Sequence, residues 1–520
     1  MIFLVSGCRR DPDGPRWDVE LVAPVVNTSL TIADIVPDSL LETSANGDVT
    51  LVYRSELFGL KLDTVLTGPD TSFNYSLVMP IDGYLPPGFT LPATNDVTRF
   101  DLDDLELSRL RVRSGTLALA VSNQNAGRFL GTFSLPGCTT PANVPFSVER
   151  LIPAAAGGVP GSHVESFDLA GFDFDLRGPD ADDVNTLSTQ LAYQVDPQAT
   201  SDVAVNAGDS IVARVGYNDV VPAYAKGYFG SRVIDLGPDG STLDIFGSLI
   251  AGTLDLDQVA ATLSITNGVG ADMRIELDHL TGHNTRTGTA VDLAHTITSA
   301  PLNLNRALDQ GGSPAPSTYT AVLNNGNSNL DAWIENLPDS ISYAGSLRVN
   351  PLGNVSNGND FLYYESEVRV QLDLEVPLRL IATGLTLEQL VTPDLPGSSE
   401  GHAIQGGTLH LFATNGFPFD AVISLDVVDG GGTVVGSFPV LGTIASGVLG
   451  ADGLVSAPTS SRIDVSVPPE ALDLLYATGR ARIRAAFTTA DQTQHLRILD
   501  SYRLDLKLTV DVNYLVNGDE

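Results

Sequence analysis

Lysine is nearly missing: Lys61, Lys226 and Lys507 are the only three in 520 residues, and arginine supplies the rest of the 28 basic side chains. Against 63 acidic residues this leaves a formal net charge of −35. Nucleic-acid binders release counterions with clustered Lys and Arg, so nucleic acid is excluded as a partner. An anionic membrane surface would repel the chain as well. Cysteine is equally scarce, with Cys8 and Cys138 alone, which removes any metal site of the Cys-x-x-Cys kind. There is no Gly-Lys-Ser/Thr phosphate loop. No apolar run reaches the roughly 18 residues of a membrane-spanning helix. No amphipathic stretch is long enough for a βαβ crossover, which counts against Rossmann and α/β-barrel enzymes.

What remains is rich in strand signals. Hydrophobic residues make up 43% of the chain, close to the globular norm of about 45–50% and enough for packed cores. Gly (50) and Pro (31) are scattered, as expected for many turns between short strands. Apolar and polar residues alternate without a break over Val368–Val376 and Leu504–Tyr514, and more briefly at Phe172–Asp175 and Ile463–Val467. Period-2 alternation buries one face and wets the other, the pattern of antiparallel sheets. Short helices are predicted only around Leu30–Leu40 and at Ala471–Tyr476, the latter opened by Pro469-Glu470 and closed near Gly479. The strong negative charge keeps such a protein soluble; its functional reading is an acidic face for cations or a basic partner.

Two internal similarities stand out. Leu21-Val-Ala-Pro24 with the Leu30–Val36 stretch parallels Glu375-Val-Pro377 with Leu385–Val391, which suggests equivalent units after each. A strand-Asn phrase also recurs: Gly115–Asn123, Ala261–Asn267 and Gly407–Asn415, with Thr116, Thr262 and Thr408 each 146 residues apart. A period of that size is a domain rather than a solenoid repeat. In this phrase the Asn carboxamide is expected to cap the turn by bonding backbone groups. The phrase is similar to that of LEA-type β-sandwiches and of the TULIP-like lipid-binding modules of bacterial envelopes, and the chain resembles large envelope lipoproteins that carry such phrases. The expected architecture is therefore mainly β: elongated, antiparallel sheets in several β-sandwich or TULIP-like units with few short helices. The units are placed at 17–105, 106–250, 251–364 and 365–520.

The N-terminus reads Val5-Ser6-Gly7-Cys8 after an apolar start and is followed by the polar 9–16 stretch. This resembles the lipobox of bacterial lipoproteins, which implies cleavage before Cys8, acylation of its thiol and new amino terminus, and 9–16 as a tether, with 1–8 the remnant of the signal. Only seven residues precede Cys8 and none is basic, so either the start codon lies upstream or the match is fortuitous. A Cys8–Cys138 disulfide is the competing use of the two thiols.

Candidate chemistry is thin. Gly397-Ser-Ser399-Glu-Gly401, beside His402, matches the nucleophile elbow, but Pro393 and Pro396 precede it where that motif needs a strand, so it reads as a linker. His279 and His283 are four apart without the Glu of a zinc-protease helix, and Gly282 interrupts them; with His295 they read as a chance cluster. Asp182, Asp183 and Asn185 are weak calcium candidates that lack the EF-hand Gly and Glu, and Asp11-Pro-Asp13 and Asp239-Gly240 read as turns. Tyr224, Tyr228 and Phe229, and the pair Phe417 and Phe419, are core by default and otherwise a ligand or partner surface; Gly227 could bulge the strand between the two tyrosines. No catalytic residue, cofactor or metal is assigned. The leading expectation is a non-enzymatic lipoprotein, lipid-anchored at the outer membrane of a bacterial envelope, which serves as a structural, surface or assembly component through protein–protein contacts. A carrier of lipid or another apolar ligand is the alternative, and a hydrolase ranks last.

Overall fold

The structure is a computed structural model that describes residues 16–34, 36, 38–61, 70–243, 245–246, 249–392, 404–437, 442–467 and 469–517. The lipobox, the Ser399 elbow with His402, and Asp11 and Asp13 lie outside these residues. Among the described residues strands hold 62% and helices 5%, so the mainly β expectation stands, as antiparallel sheets. Among the described residues no helix is long and apolar enough to cross a membrane.

Strand pairing resolves into one six-strand plan used three times. In sandwich 1 the strands are A (Glu106–Asn123), B (Phe129–Thr139), C (Pro145–Ile152), D (Gly161–Asp168), E (Thr186–Val195) and F (Ser210–Tyr228). A pairs with D and F, while B pairs with C and E. Sandwich 2 repeats this with A (Ala260–Asn267), B (Met273–Asn284), C (Leu302–Leu304), D (Ser317–Asn324), E (Ser340–Val349) and F (Glu367–Pro377). Sandwich 3 does so with A (Ile404–Asn415), B (Phe419–Val428), C (Gly442–Ile444), D (Thr459–Val467), E (Ala481–Thr489) and F (Leu504–Asn517). The two longest alternations of the sequence are thus the F strands of sandwiches 2 and 3. The helices take one place in the plan, the D-to-E connection: α1 (Leu330–Glu335) in sandwich 2 and α2 (Pro469–Thr478) in sandwich 3. The 30–40 region instead forms two three-residue 3-10 turns, Ile32–Asp34 and Asp38–Leu40.

The N-terminal residues do not form a unit of their own. They supply one more strand to the F edge of each sandwich, in reverse order. Arg16–Leu30 pairs with F of sandwich 3, Val49–Lys61 with F of sandwich 2, and Thr71–Val78 with F of sandwich 1. Strand E is flanked in the same way, by Thr94–Arg99, Arg232–Thr242 and Arg379–Val391 in turn. Pairing therefore crosses the expected boundaries at 105, 250 and 364. The Leu21 and Glu375 segments are also not equivalent, because one lies in this N-terminal strap and the other ends strand F of sandwich 2. Local sequence could not show this, since each strap strand finds its partner well over a hundred residues away.

Inward-facing residues of both sheets pack into one hydrophobic core, with Leu117, Phe129, Leu135 and Trp333 essentially inaccessible. Packing leaves little space. The voids inside sandwich 2 (against Trp333) and beside Phe133 in sandwich 1 measure about 10 Å³ each, and an apolar slot at Phe100, Phe174 and Tyr217 about 90 Å³.

Candidate functional site

Each sandwich is fastened at one end by the asparagine that closes strand A. Asn123, Asn267 and Asn415 are all buried, at 0%, 0% and 1% exposure, where an unpaired carboxamide would be costly. In each, Oδ1 accepts the amide two residues on, from Asn125, Val269 and Phe417, at 2.9 Å in all three. Nδ2 donates to the carbonyl four residues on, in Gly127, Ala271 and Phe419, at 2.8, 3.2 and 2.7 Å. Its second proton reaches the residue just past strand C, Pro153, Asn305 and Ala445, at 2.8, 2.9 and 3.0 Å. The expected turn cap is present, and it also staples the A–B turn to strand C.

The stapled ends set the order of the sandwiches. The segment before strand F of sandwich 2, Asp360–Tyr363, adds to strand F of sandwich 1 at Tyr224–Gly227. At this first joint the fully buried Asp360 carboxylate accepts from Arg306 (2.9 Å), Asn350 (2.7 Å) and the Phe229 amide (3.2 Å). Beside it Tyr224 and Tyr363 both donate to Asp309 at 2.7 Å. Burial, then the bond to Asp309, pushes the Tyr363 phenol up to about 12 and raises that of Tyr224 also. Burial would raise the Asp309 carboxyl, but the bonds from Tyr363, the Gly311 amide and Tyr224 outweigh it and hold the group low. The second joint is built from Ile498, bonded to Val49 and Leu378, and from Arg497, which clasps Asp48 at 2.8 and 2.6 Å.

The sandwiches therefore run head to tail. The stapled end of sandwich 1 has no sandwich beyond it. There Val203–Val205 pairs with Gly83–Leu85 from the 79–93 loop, which stands where the other two have a neighbour. This cap turns Ile81 (70% exposed) and Tyr84 (75% exposed) outward. At the opposite extreme, Arg16 is paired with Asn517, so both described termini sit together at the base.

The sequence-predicted residues fall mostly inside this frame. Tyr224 and Phe229 are buried in the first joint and Tyr228 is half-buried; the pairing of strands A and F shifts register at Lys226/Gly227, the foreseen bulge. A side chain at Gly227 would strike the Glu106 carbonyl. Phe417 and Phe419 are buried and stack on each other at 6.1 Å, with Tyr502 edge-on to the first at 6.0 Å and Phe487 edge-on to the second at 6.3 Å. Tyr224, Phe229, Phe417 and Phe419 thus form core and joint, while the half-buried Tyr228 lines an open cleft of about 610 Å³ with Asp104 and Glu106. The calcium trio is not assembled: the Asn185 carboxamide is used by the Leu107 amide (2.7 Å) and the Leu105 carbonyl, and Asp183 accepts from the Val184 amide. Among the described residues no three metal-binding side chains converge. His283 contacts Ser342 at 2.7 Å, while His295 caps a 3-10 turn by accepting the Ile297 amide. Cys138 is free and fully buried, and burial with the nearby Asp173 pushes its thiol up to about 12. Asp360, Arg306, Asn350, Asp309, Ile81 and Tyr84 were invisible to sequence reading, because their partners lie far along the chain or, at the tip, are absent.

No protein-family model matches the chain, and no curated protein matches it. Among solved structures it is similar to a protein predicted to be secreted from Parabacteroides distasonis, at 12% identity over 95% of this chain and 99% of that one, with a TM-score of 0.30. It also aligns with the structure of infectious bursal disease virus, Gt strain, at 10% identity over 93% and 87% of the two chains, with a TM-score of 0.13. Likeness at this level adds nothing to the fold traced above.

Proposed function

We propose that this protein is a non-enzymatic lipoprotein of the bacterial envelope, anchored through Cys8, that acts as a spacer and assembly component and meets protein partners at the capped tip of sandwich 1. The observation that carries this reading is the polarity of the array. Arg16, eight residues after Cys8, lies at the base, and the outward Ile81 and Tyr84 lie three sandwiches away. Apolar side chains grouped in one exposed region mark contact surfaces, and the cap loop carries Ile81, Tyr84 and the partly exposed Phe89. The carrier alternative is favoured by the apolar slot at Phe100 and Tyr217, but its 90 Å³ is well below the roughly 300–1,000 Å³ of ordinary ligand pockets.

The test is a photo-crosslinking amino acid placed at Tyr84, or at the exposed Val164 on strand D of sandwich 1, in cells of the native host. A discrete envelope-protein adduct at 84 and none at 164 supports the tip as the contact end. Equal labelling at both positions rejects it. Stoichiometric lipid in a solvent extract of the purified protein would move the assignment to the carrier. An unmodified Cys8 in the mass of the native N-terminal peptide would remove the anchor.

A further inference from the structure

We propose that the strands Arg16–Leu30, Val49–Lys61 and Thr71–Val78 form a tension strap along the array that makes the protein mechanically strong when pulled between its N-terminal side and its tip and weak when pulled between its two ends. The geometry is read from backbone register. The first strap strand starts opposite Asn517 at the base and ends opposite Leu504, which in turn pairs with Asn415 at the stapled end of sandwich 3. The second runs from Val49, bonded to Ile498 at the second joint, to Lys61, which lies opposite Glu367 at the first joint. The third runs from Thr71 to Val78, where Ser210 and Asn123 mark the tip. The three strands thus follow one another from base to tip, each antiparallel to its F strand, and the last leads into the cap loop at residue 79.

Antiparallel ladder bonds lie perpendicular to the strands. A load that enters at Arg16 and is resisted at the tip acts along the first strap strand, so its 14 registered pairs with strand F must slide together before slack is released. A load that separates the two termini acts across the same ladder and opens it pair by pair, beginning at Arg16–Asn517. The bonds are the same in both cases; only the direction differs. The strap would be of use chiefly to a protein held by its N-terminus and loaded at its tip, so its biological role rests on the anchored reading above. Its mechanics do not.

The experiment is single-molecule pulling on the full chain with handles at Cys8 and position 201 (Ser201→Cys, on an exposed tip loop), compared with handles at Cys8 and position 520 (Glu520→Cys). The expected result is a first rupture force severalfold higher in the base-to-tip geometry, and an early low-force opening of residues 16–30 in the termini geometry. A second variant, Arg16→Cys with Asn517→Cys and tag-coupled handles, should lose that low-force event when oxidised and regain it on reduction. Equal first rupture forces in the two geometries, or a low-force event that survives the cross-link, would overturn the strap. Because the molecule is pulled in solution, an unacylated Cys8 in cells would sink the anchor and leave this result standing.

Discussion

Replacing Asn267 with alanine should open one end of sandwich 2 without disturbing its strands elsewhere. The carboxamide serves two buried backbone groups, the Val269 amide and the Ala271 carbonyl, and a third, the carbonyl of the exposed Asn305. Alanine, at a position of 0% exposure, takes the side-chain partner from the buried Val269 amide and Ala271 carbonyl, while the Asn305 carbonyl keeps its bond from the Ser317 hydroxyl. Each buried unsatisfied group costs about 1–3 kcal/mol, and because neighbouring losses are not additive the total is expected near 3–5 kcal/mol. Aspartate is nearly isosteric and keeps the acceptor for Val269, but it sets a buried anion against two carbonyl oxygens and should cost more at neutral pH. Its folded-state pKa must lie above the unfolded ~3.9, so the variant's deficit shrinks as pH falls toward that value. Hydrogen exchange of the Val269 amide and of strand A of sandwich 2 is the assay, since three sandwiches need not unfold as one transition. Opening free energies within about 1 kcal/mol of the parent would refute the staple, as would a large loss at Asn267 with none at the geometrically matching Asn123 or Asn415.

Other consequences can be measured directly. Asp360→Ala takes the acceptor from the buried Phe229 amide and leaves Arg306 with Asp272 at 3.6 Å, so it should cost about 3 kcal/mol, read as lost exchange protection at Asp360–Tyr363 and Tyr224–Gly227 while sandwich 3 is unchanged; uniform loss would contradict a local joint. Tyr363 ionises at about 12 in the folded protein against ~10 unfolded, so its contribution is fully present below ~10 and is lost as pH rises from there to about 12. Absorbance titration of Tyr363→Phe against the parent tests this, and a missing tyrosine that ionises near 10 would count against the Asp309 cluster. Cys138, buried with its thiol raised to about 12, should resist alkylation at pH 8 until the protein is denatured, and rapid labelling of the native protein would show that sandwich 1 opens there. Gly270→Ala places a methyl within 2.1 Å of the Phe361 ring and should loosen the same joint as Asp360→Ala.

Local signals carried the class of the fold and its repeat. The alternations at Val368–Val376 and Leu504–Tyr514 fall on two F strands, and the three phrases 146 residues apart fall on strand A of each sandwich with the asparagine that caps its turn, although the sequence pointed to four units. Pro469-Glu470 and Gly479 bracket a helix that the structure places at Pro469–Thr478. What could not be read is everything that depends on distant pairing. Strap residues such as Val49 look like any strand until Val376 and Ile498 are brought to them, and Asp360 is one acid among many until Arg306 and Asn350 surround it. The aromatic stretch at Tyr224 showed the same ambiguity: composition offered core or surface, and only the strand added from sandwich 2 decides for the joint.

The central claim is that both described ends, Arg16 and Asn517, sit at the base and the cap loop at the far end. The three strap strands, of 15, 13 and 8 residues at ~3.3 Å each, place these points on the order of 100 Å apart. Single-molecule energy transfer with dyes at positions 16, 517 and 84 measures this directly. Nearly complete transfer between 16 and 517, with almost none between 84 and 517, is the predicted result. Efficient transfer between 84 and 517 would contradict the head-to-tail array and the function proposed for it.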